Sequence, residues 1–276
     1  MTLSIVLLVL FAALLHAGWN ALLKGGGDRF WSMTVMCAAI ALACIAPLPF
    51  LPIPHAASWP YIAASAVLHV GYNAFLIRAY RGGDFGGVYP VARGASPLLV
   101  TLGAALAAGE RPGTAAMLGI LLVSLGILSL AWRGRRLPET GIADALGTGV
   151  FIALYSVTDG IGARLSGDAA AYTVWMCLGW SVLAVLGWLA LRGPATLWRG
   201  ARTTGLAALG GLVSLLAYGI VIIAMAHAPM GMVSALRETS ILFAILLGRI
   251  VFGEALTPRR VLAGLMMVAG VLCLGA

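Results

Sequence analysis

Apolar runs of about twenty residues recur along the whole chain, each interrupted by a short cluster of glycine, proline and charge. A helix rises about 1.5 Å per residue and the hydrocarbon of a bilayer is about 30 Å thick, so each run has the length of one membrane-spanning helix. Ten helices are predicted, near Leu3–Leu23, Phe30–Leu51, Trp59–Tyr80, Val88–Ala108, Thr114–Trp132, Ala143–Ala163, Ala170–Leu191, Thr204–Ala226, Met232–Phe252 and Arg260–Leu274. Connections such as Gly25-Gly26-Gly27-Asp28, Arg81-Gly82-Gly83-Asp84 and Arg192-Gly193-Pro194 carry the turn signals. None is much longer than about a dozen residues, which leaves no place for an extramembranous catalytic or nucleotide-binding domain. The first run lacks a basic leader and is long enough to span, so it is read as a retained helix and not as a signal peptide.

The pattern also repeats. A shift of 144 residues carries Arg93 onto Arg237, Ser96 onto Ser240, Gly109-Glu110 onto Gly253-Glu254 and Gly126 onto Gly270. Two units are expected, 1–136 and 137–276, each with five spans. An odd number of crossings inserts the second unit upside down, so the fold class is an all-α integral membrane protein of two inverted five-helix repeats around a central cavity. Within the first unit, Leu15–Ala21 (LHAGWNA) and Leu68–Ala74 (LHVGYNA) each set a histidine and an asparagine four residues apart, on one helix face. Two such faces would meet across one cavity.

Composition agrees with the membrane assignment: 62% of residues are hydrophobic, 9% are charged and the mean hydropathy is +1.03, against about a quarter charged in soluble domains. The net charge of +8 has no basic face or aromatic-interleaved basic helix behind it. It is assigned to connections facing anionic membrane lipid, and no nucleic-acid partner is expected. Lys24, Arg29, Arg78, Arg81, Arg133, Arg135, Arg136, Arg192, Arg199, Arg202, Arg259 and Arg260 all fall in odd-numbered connections, against Arg111 and Arg164 in the even ones. That bias places the odd connections in the cytoplasm and both termini outside, in the cell's inner (plasma) membrane. The four cysteines lie inside apolar runs without C-x-x-C spacing and read as core residues.

The stretch Arg93–Gly126, with Ser96-Pro97, Glu110, Gly119 and Gly126, resembles the EamA-like transporters of the drug/metabolite transporter superfamily. The second copy keeps Ser240, Glu254, Gly264 and Gly270 but has Ile241 in place of the proline, which removes the proline device for a matching kink. The resemblance covers essentially the whole chain. It implies a secondary carrier for small metabolites such as amino acids, their derivatives or sugars, often outward, working by alternating access. Members of the family are commonly drawn with cytoplasmic termini, against the charge count.

Polar side chains inside spans cost about 2.5–3.5 kcal/mol each, so they face the interior and point to function. The candidate substrate-binding residues are His16, Trp19, Asn20, His69, Tyr72, Asn73, Tyr89, Arg93, Tyr155, Tyr218, Arg237 and Ser240; Asp159 and Glu238 are the candidates for proton coupling. Arg93 and Arg237 suit an anion clamp, snorkelling to the interface, or pairing with Glu238 or with backbone carbonyls at a discontinuous helix, and the inverted repeat is expected to set them near opposite mouths of the cavity. Asp159 would either exchange a proton, form a helix-joining salt bridge or lie hydrated near the interface. Glu110 and Glu254 are expected to close short turns by accepting N–H groups at the next helix start. Two histidines without a cysteine or carboxylate at ligand spacing make a poor metal site, and no metal or cofactor is expected. The expected partners are a small-molecule substrate, membrane lipids and, as a coupling ion, protons. The alternative function is a multispan enzyme acting on a lipid-linked substrate, but the ionisable residues are spread over both halves and do not cluster at one interface.

Overall fold

The structure, a computed structural model, describes residues 1–22, 28–82, 85–131 and 142–275. Eleven α-helices appear in chain order among them: α1 (Leu3–Leu22), α2 (Arg29–Ile45), α3 (Trp59–Gly82), α4 (Phe85–Ala108), α5 (Thr114–Ala131), α6 (Ile142–Leu165), α7 (Ala169–Arg192), α8 (Ala201–His227), α9 (Met230–Glu238), α10 (Ser240–Phe252) and α11 (Pro258–Gly275). Among the described residues, nine segments are long and apolar enough to cross a membrane, with α9 and α10 forming one of them. The 24-residue α3, which the sequence predicts as a further span, is not one of the nine but packs among them against α6 and α7. The expected all-α membrane architecture is therefore the one observed.

Two antiparallel spans lose regular helical hydrogen bonding near their middles for different chemical reasons, and only the second is interrupted. In α4, Pro97 has no N–H to give the Arg93 carbonyl, and the Ser96 hydroxyl donates to that oxygen instead at 3.1 Å. The second copy lacks a proline, yet its helix is interrupted at Thr239. There the backbone N–H turns back to Leu236 O at 3.1 Å and the hydroxyl donates to the same carbonyl at 2.6 Å. That tight three-residue return, reinforced by a threonine side chain, separates α9 from α10. With Ile241 in place of the proline, the interruption comes two residues earlier and is built by threonine.

Helix neighbours repeat between the halves. Helix α1 packs on α8 and on α9–α10, as α6 packs on α3 and α4, while α2 lies against α7 and α5 against α11. The expected boundary at 136/137 lies outside the described residues. Apolar surface covers the outside as well as the core: Leu106 and Ile250 are 80% and 79% exposed, as lipid-facing side chains are. With lipid as apolar as leucine, close packing of small residues holds helices together.

The α5–α11 contact shows this most directly. A Cβ placed on Gly119 would stand 2.8 Å from the Gly270 carbonyl oxygen, and one on Gly270 would stand 2.8 Å from the Gly119 oxygen. Only hydrogen fits between these backbones, so Gly270→Leu must push the helices apart at an overpacking cost of about 1–3 kcal/mol. A lower melting temperature of the purified protein is expected; an unchanged one would mean that the two helices can separate freely.

The connections fall on two faces. His55 N–H donates to Ser166 O, Arg164 reaches Ala228 O and Glu110 meets the start of α9, so the even-numbered connections share one face. Asp28 pairs with Arg192 and Arg199 on the other.

Candidate functional site

A cavity of about 740 Å³ runs from the odd-numbered face into the middle of the bundle. Arg29, Glu254, Thr257, Arg259 and Arg260 stand around its mouth, and His16, His69, Tyr155, Tyr218, Arg93 and Arg237 lie at its floor. The His16/Asn20 face of α1 and the His69/Asn73 face of α3 both line it. Asn20 spends one amide hydrogen locally, donating to His16 O at 2.8 Å. Rings form much of the inner wall: His69 lies stacked between Tyr155, at 4.2 Å between centroids, and Trp180, at 5.5 Å. Tyr72 and Tyr218 meet Tyr155 edge-on. His69 Nδ1 is 2.9 Å from Ser65 O, an acceptor only, so the proton sits on Nδ1 and the ring is held in place.

At the floor, two arginines converge on one carboxylate. Arg93 Nε lies 2.6 Å from Glu238 Oε2, and Arg237 Nη2 donates to Glu238 Oε1 at 3.2 Å. Arg93 Nη2 also donates to Ser240 Oγ at 3.3 Å, and the Ser96 hydroxyl lies 3.3 Å from Glu238 Oε1. Arg93 and Arg237 are 4% exposed and Glu238 is fully buried. The cluster thus holds two positive charges and one negative. The expectation of arginines at opposite mouths is corrected. Each starts about two turns inside its span, close to mid-membrane, where α4 and α9 pack against each other, so antiparallel insertion brings the two side chains together.

Asp159 of α6 is also fully buried. Its full burial sets it away from the exposed interface, and no salt bridge reaches it among the described residues, which differs from both of those expectations. Tyr172 donates to Oδ1 at 2.9 Å and Tyr218 to Oδ2 at 2.6 Å, with His69 and Ser65 of α3 beside the carboxyl. Helices α3, α7 and α8 all meet α6 here.

The even-numbered face is closed. Glu110 Oε2 accepts the Met230 N–H at 2.8 Å, and Arg164 Nη2 donates to Glu110 Oε1 at 2.6 Å. Arg164 also donates to Met225 O and Ala228 O at the end of α8. Glu110 does serve a helix start, but that of α9 in the other half and not of the adjacent α5, because the bundle places α9 beside it. Glu254 takes the Arg260 guanidinium at 3.0 Å, in the first turn of α11.

On the odd-numbered face Asp28 caps α2, accepting the Trp31 N–H at 3.0 Å, with Arg192 at 2.9 Å and Arg199 at 2.7 Å. Burial opposes its charge, but the Trp31 hydrogen bond and the two arginines outweigh it and hold the carboxyl below its ordinary value. A depressed folded value stabilises the protein above the unfolded carboxyl pKa of about 3.9 and is lost as pH falls through the folded value. Asp28→Asn keeps a capping oxygen and removes the charge. Its melting temperature should fall below wild type at pH 6, with the gap closing under about pH 4; a gap independent of pH would rule out the charge as its source.

All twelve residues singled out as substrate-binding candidates, from His16 to Ser240, line this cavity, whereas Asp159 and Glu238 lie behind it. Trp180, Tyr172 and Arg29 belong to the site and were not singled out. Trp180 and Tyr172 sit in an apolar run with no ionisable neighbour, so only packing reveals them.

The EamA-like transporter family matches residues 139–276, the second half of the chain. No curated protein matches in sequence. A solved crystal structure, described only as that of a protein, superposes with a TM-score of 0.78 at 22% identity over 99% of this chain and 96% of the other, a likeness of fold. With nine apolar spans among the described residues, an internal cavity and a family match across half its length, this multi-pass membrane protein belongs to the EamA-like transporter family.

Proposed function

We propose that the protein is a secondary carrier that moves a small polar metabolite, an amino acid or a related compound, outward across the inner (plasma) membrane by alternating access. The observation that carries this is a cavity reaching from one face to a buried Arg–Glu–Arg cluster, while on the other face Glu110 and Arg164, which do not line it, pair with each other. Alternating access needs one side open and the other shut around a site at mid-membrane. The two units 1–136 and 137–276 supply the two gates, one at each face. The basic bias of the odd connections orients the open mouth toward the cytoplasm, where an exporter collects its substrate. Asp159 is the proton-coupling group: it is a carboxyl held by neutral hydroxyls next to the cavity wall. Glu238 is tied to two arginines and serves the cluster.

The test begins with an amino-acid and metabolite screen by thermal shift on purified protein, because a ligand that binds only the folded state raises its melting temperature. Each stabilising compound is then assayed for counterflow in proteoliposomes, with Arg237→Ala as control. Saturable exchange that the variant loses is expected. Stabilising ligands that never exchange would make the protein a binder or an enzyme and end the carrier reading.

A further inference from the structure

We infer that the cavity selects a small organic monoanion, one carboxylate on a flat apolar body, with Arg237 as its anchor. This rests on the carrier reading and narrows its substrate from amino acids to related carboxylates that lack the ammonium group. Three features of the cavity point the same way. The Arg93–Glu238–Arg237 cluster keeps one positive charge in excess. The two arginines are not equivalent: neither Nε–H makes a hydrogen bond, but Arg93 Nε lies 2.6 Å from Glu238 Oε2 and its Nη2 donates to Ser240, whereas Arg237 meets Glu238 through Nη2 at 3.2 Å, and Arg237 lines the cavity. Trp19 and Trp180 also line the cavity; the buried Trp19 indole N–H has no partner, while Trp180 stands beside the Cys177 thiol. Every one of these open groups is a donor.

The acids near the floor are already used. Glu238 is held by both arginines, Asp159 accepts from Tyr172 and Tyr218, and neither lines the cavity. An ammonium group would therefore add a second uncompensated positive charge at the floor. A carboxylate brings one negative charge and lone pairs for several donors, and it pairs with a guanidinium through parallel hydrogen bonds. A dianion would overshoot the single excess charge. The remaining wall is flat and mostly apolar, from the Trp19, Tyr72, Trp180 and Tyr218 rings, and suits a planar group packed face-on or edge-on.

Four probes separate the alternatives on the full-length protein in detergent, by thermal shift and by quenching of intrinsic tryptophan fluorescence. They are 3-phenylpropionate, its amide, 3-phenylpropylamine and inorganic phosphate. The carboxylate is expected to bind at least about tenfold more tightly than the other three. Arg237→Gln should weaken it by about tenfold or more, and Arg237→Lys should restore part of the loss. Arg237→Gln leaves Arg93 and Glu238 as a neutral pair, so its melting temperature without probe should stay near wild type. Equal binding of the amine or amide, tighter binding of phosphate, no binding of any probe, or carboxylate binding unchanged in Arg237→Gln would each overturn the assignment. Counterflow of an amine substrate would do so while leaving the carrier reading intact.

Discussion

Glu238→Gln should destabilise the protein by about 3–5 kcal/mol, the usual result of removing one member of a buried ion cluster. The wild-type floor holds two guanidiniums against one carboxylate, with all three side chains at most 5% exposed. Glutamine keeps the shape and removes the charge, so two positive charges remain close together away from water. The expected observations are a large fall in melting temperature and in the yield of monodisperse protein. A second variant separates charge from shape: Arg93→Met with Glu238→Gln returns the cluster to one excess positive charge, as in wild type. It should recover much of the lost stability, a non-additive result diagnostic of direct coupling. If Glu238→Gln melts within a degree or two of wild type, the cluster contributes nothing to the fold.

Replacing Asp159 by leucine should cost about 2–6 kcal/mol, because it strips the acceptor from two tyrosine hydroxyls at about 1–3 kcal/mol for each buried group left unmade. Tyr172 and Tyr218 come from different helices, so the carboxyl ties α7 and α8 to α6. Asparagine retains an amide oxygen and can satisfy the second hydroxyl by donating to it, so Asp159→Asn should fold nearly as well as wild type. The two variants thus divide structure from mechanism. Under proton coupling, Asp159→Asn keeps counterflow of substrate and loses uptake driven by a pH gradient alone. A gradient-driven flux that survives in Asp159→Asn would exclude this carboxyl as the coupling group.

Much of the cavity lining was legible beforehand because a polar residue inside an apolar run has few places to go. His16, Asn20, His69, Asn73, Arg93 and Arg237 all stood out for that reason, and all six line the cavity. Their partners were less legible. Asp159 gave no sign that tyrosines from two other spans would hold it, since Tyr172 lies 13 positions and Tyr218 59 positions along the chain. Trp180, buried in an apolar run, looked like any lipid-facing aromatic.

Hydrophobic periodicity by itself determined the fold class: about twenty apolar residues per run and short polar connections leave a bundle of spanning helices as the stable solution in a bilayer, where backbone groups must be satisfied internally. The internal repeat likewise announced which positions would correspond. Tertiary structure alone decided how they meet. Residues assigned to opposite mouths converge on one carboxylate, because α4 and α9 pack antiparallel near mid-membrane. Glu110 serves a helix 120 positions away instead of its own turn. Sequence spacing gives the depth of a side chain in its span, but charge pairing depends on which spans are neighbours, and that is settled by the close packing of small residues.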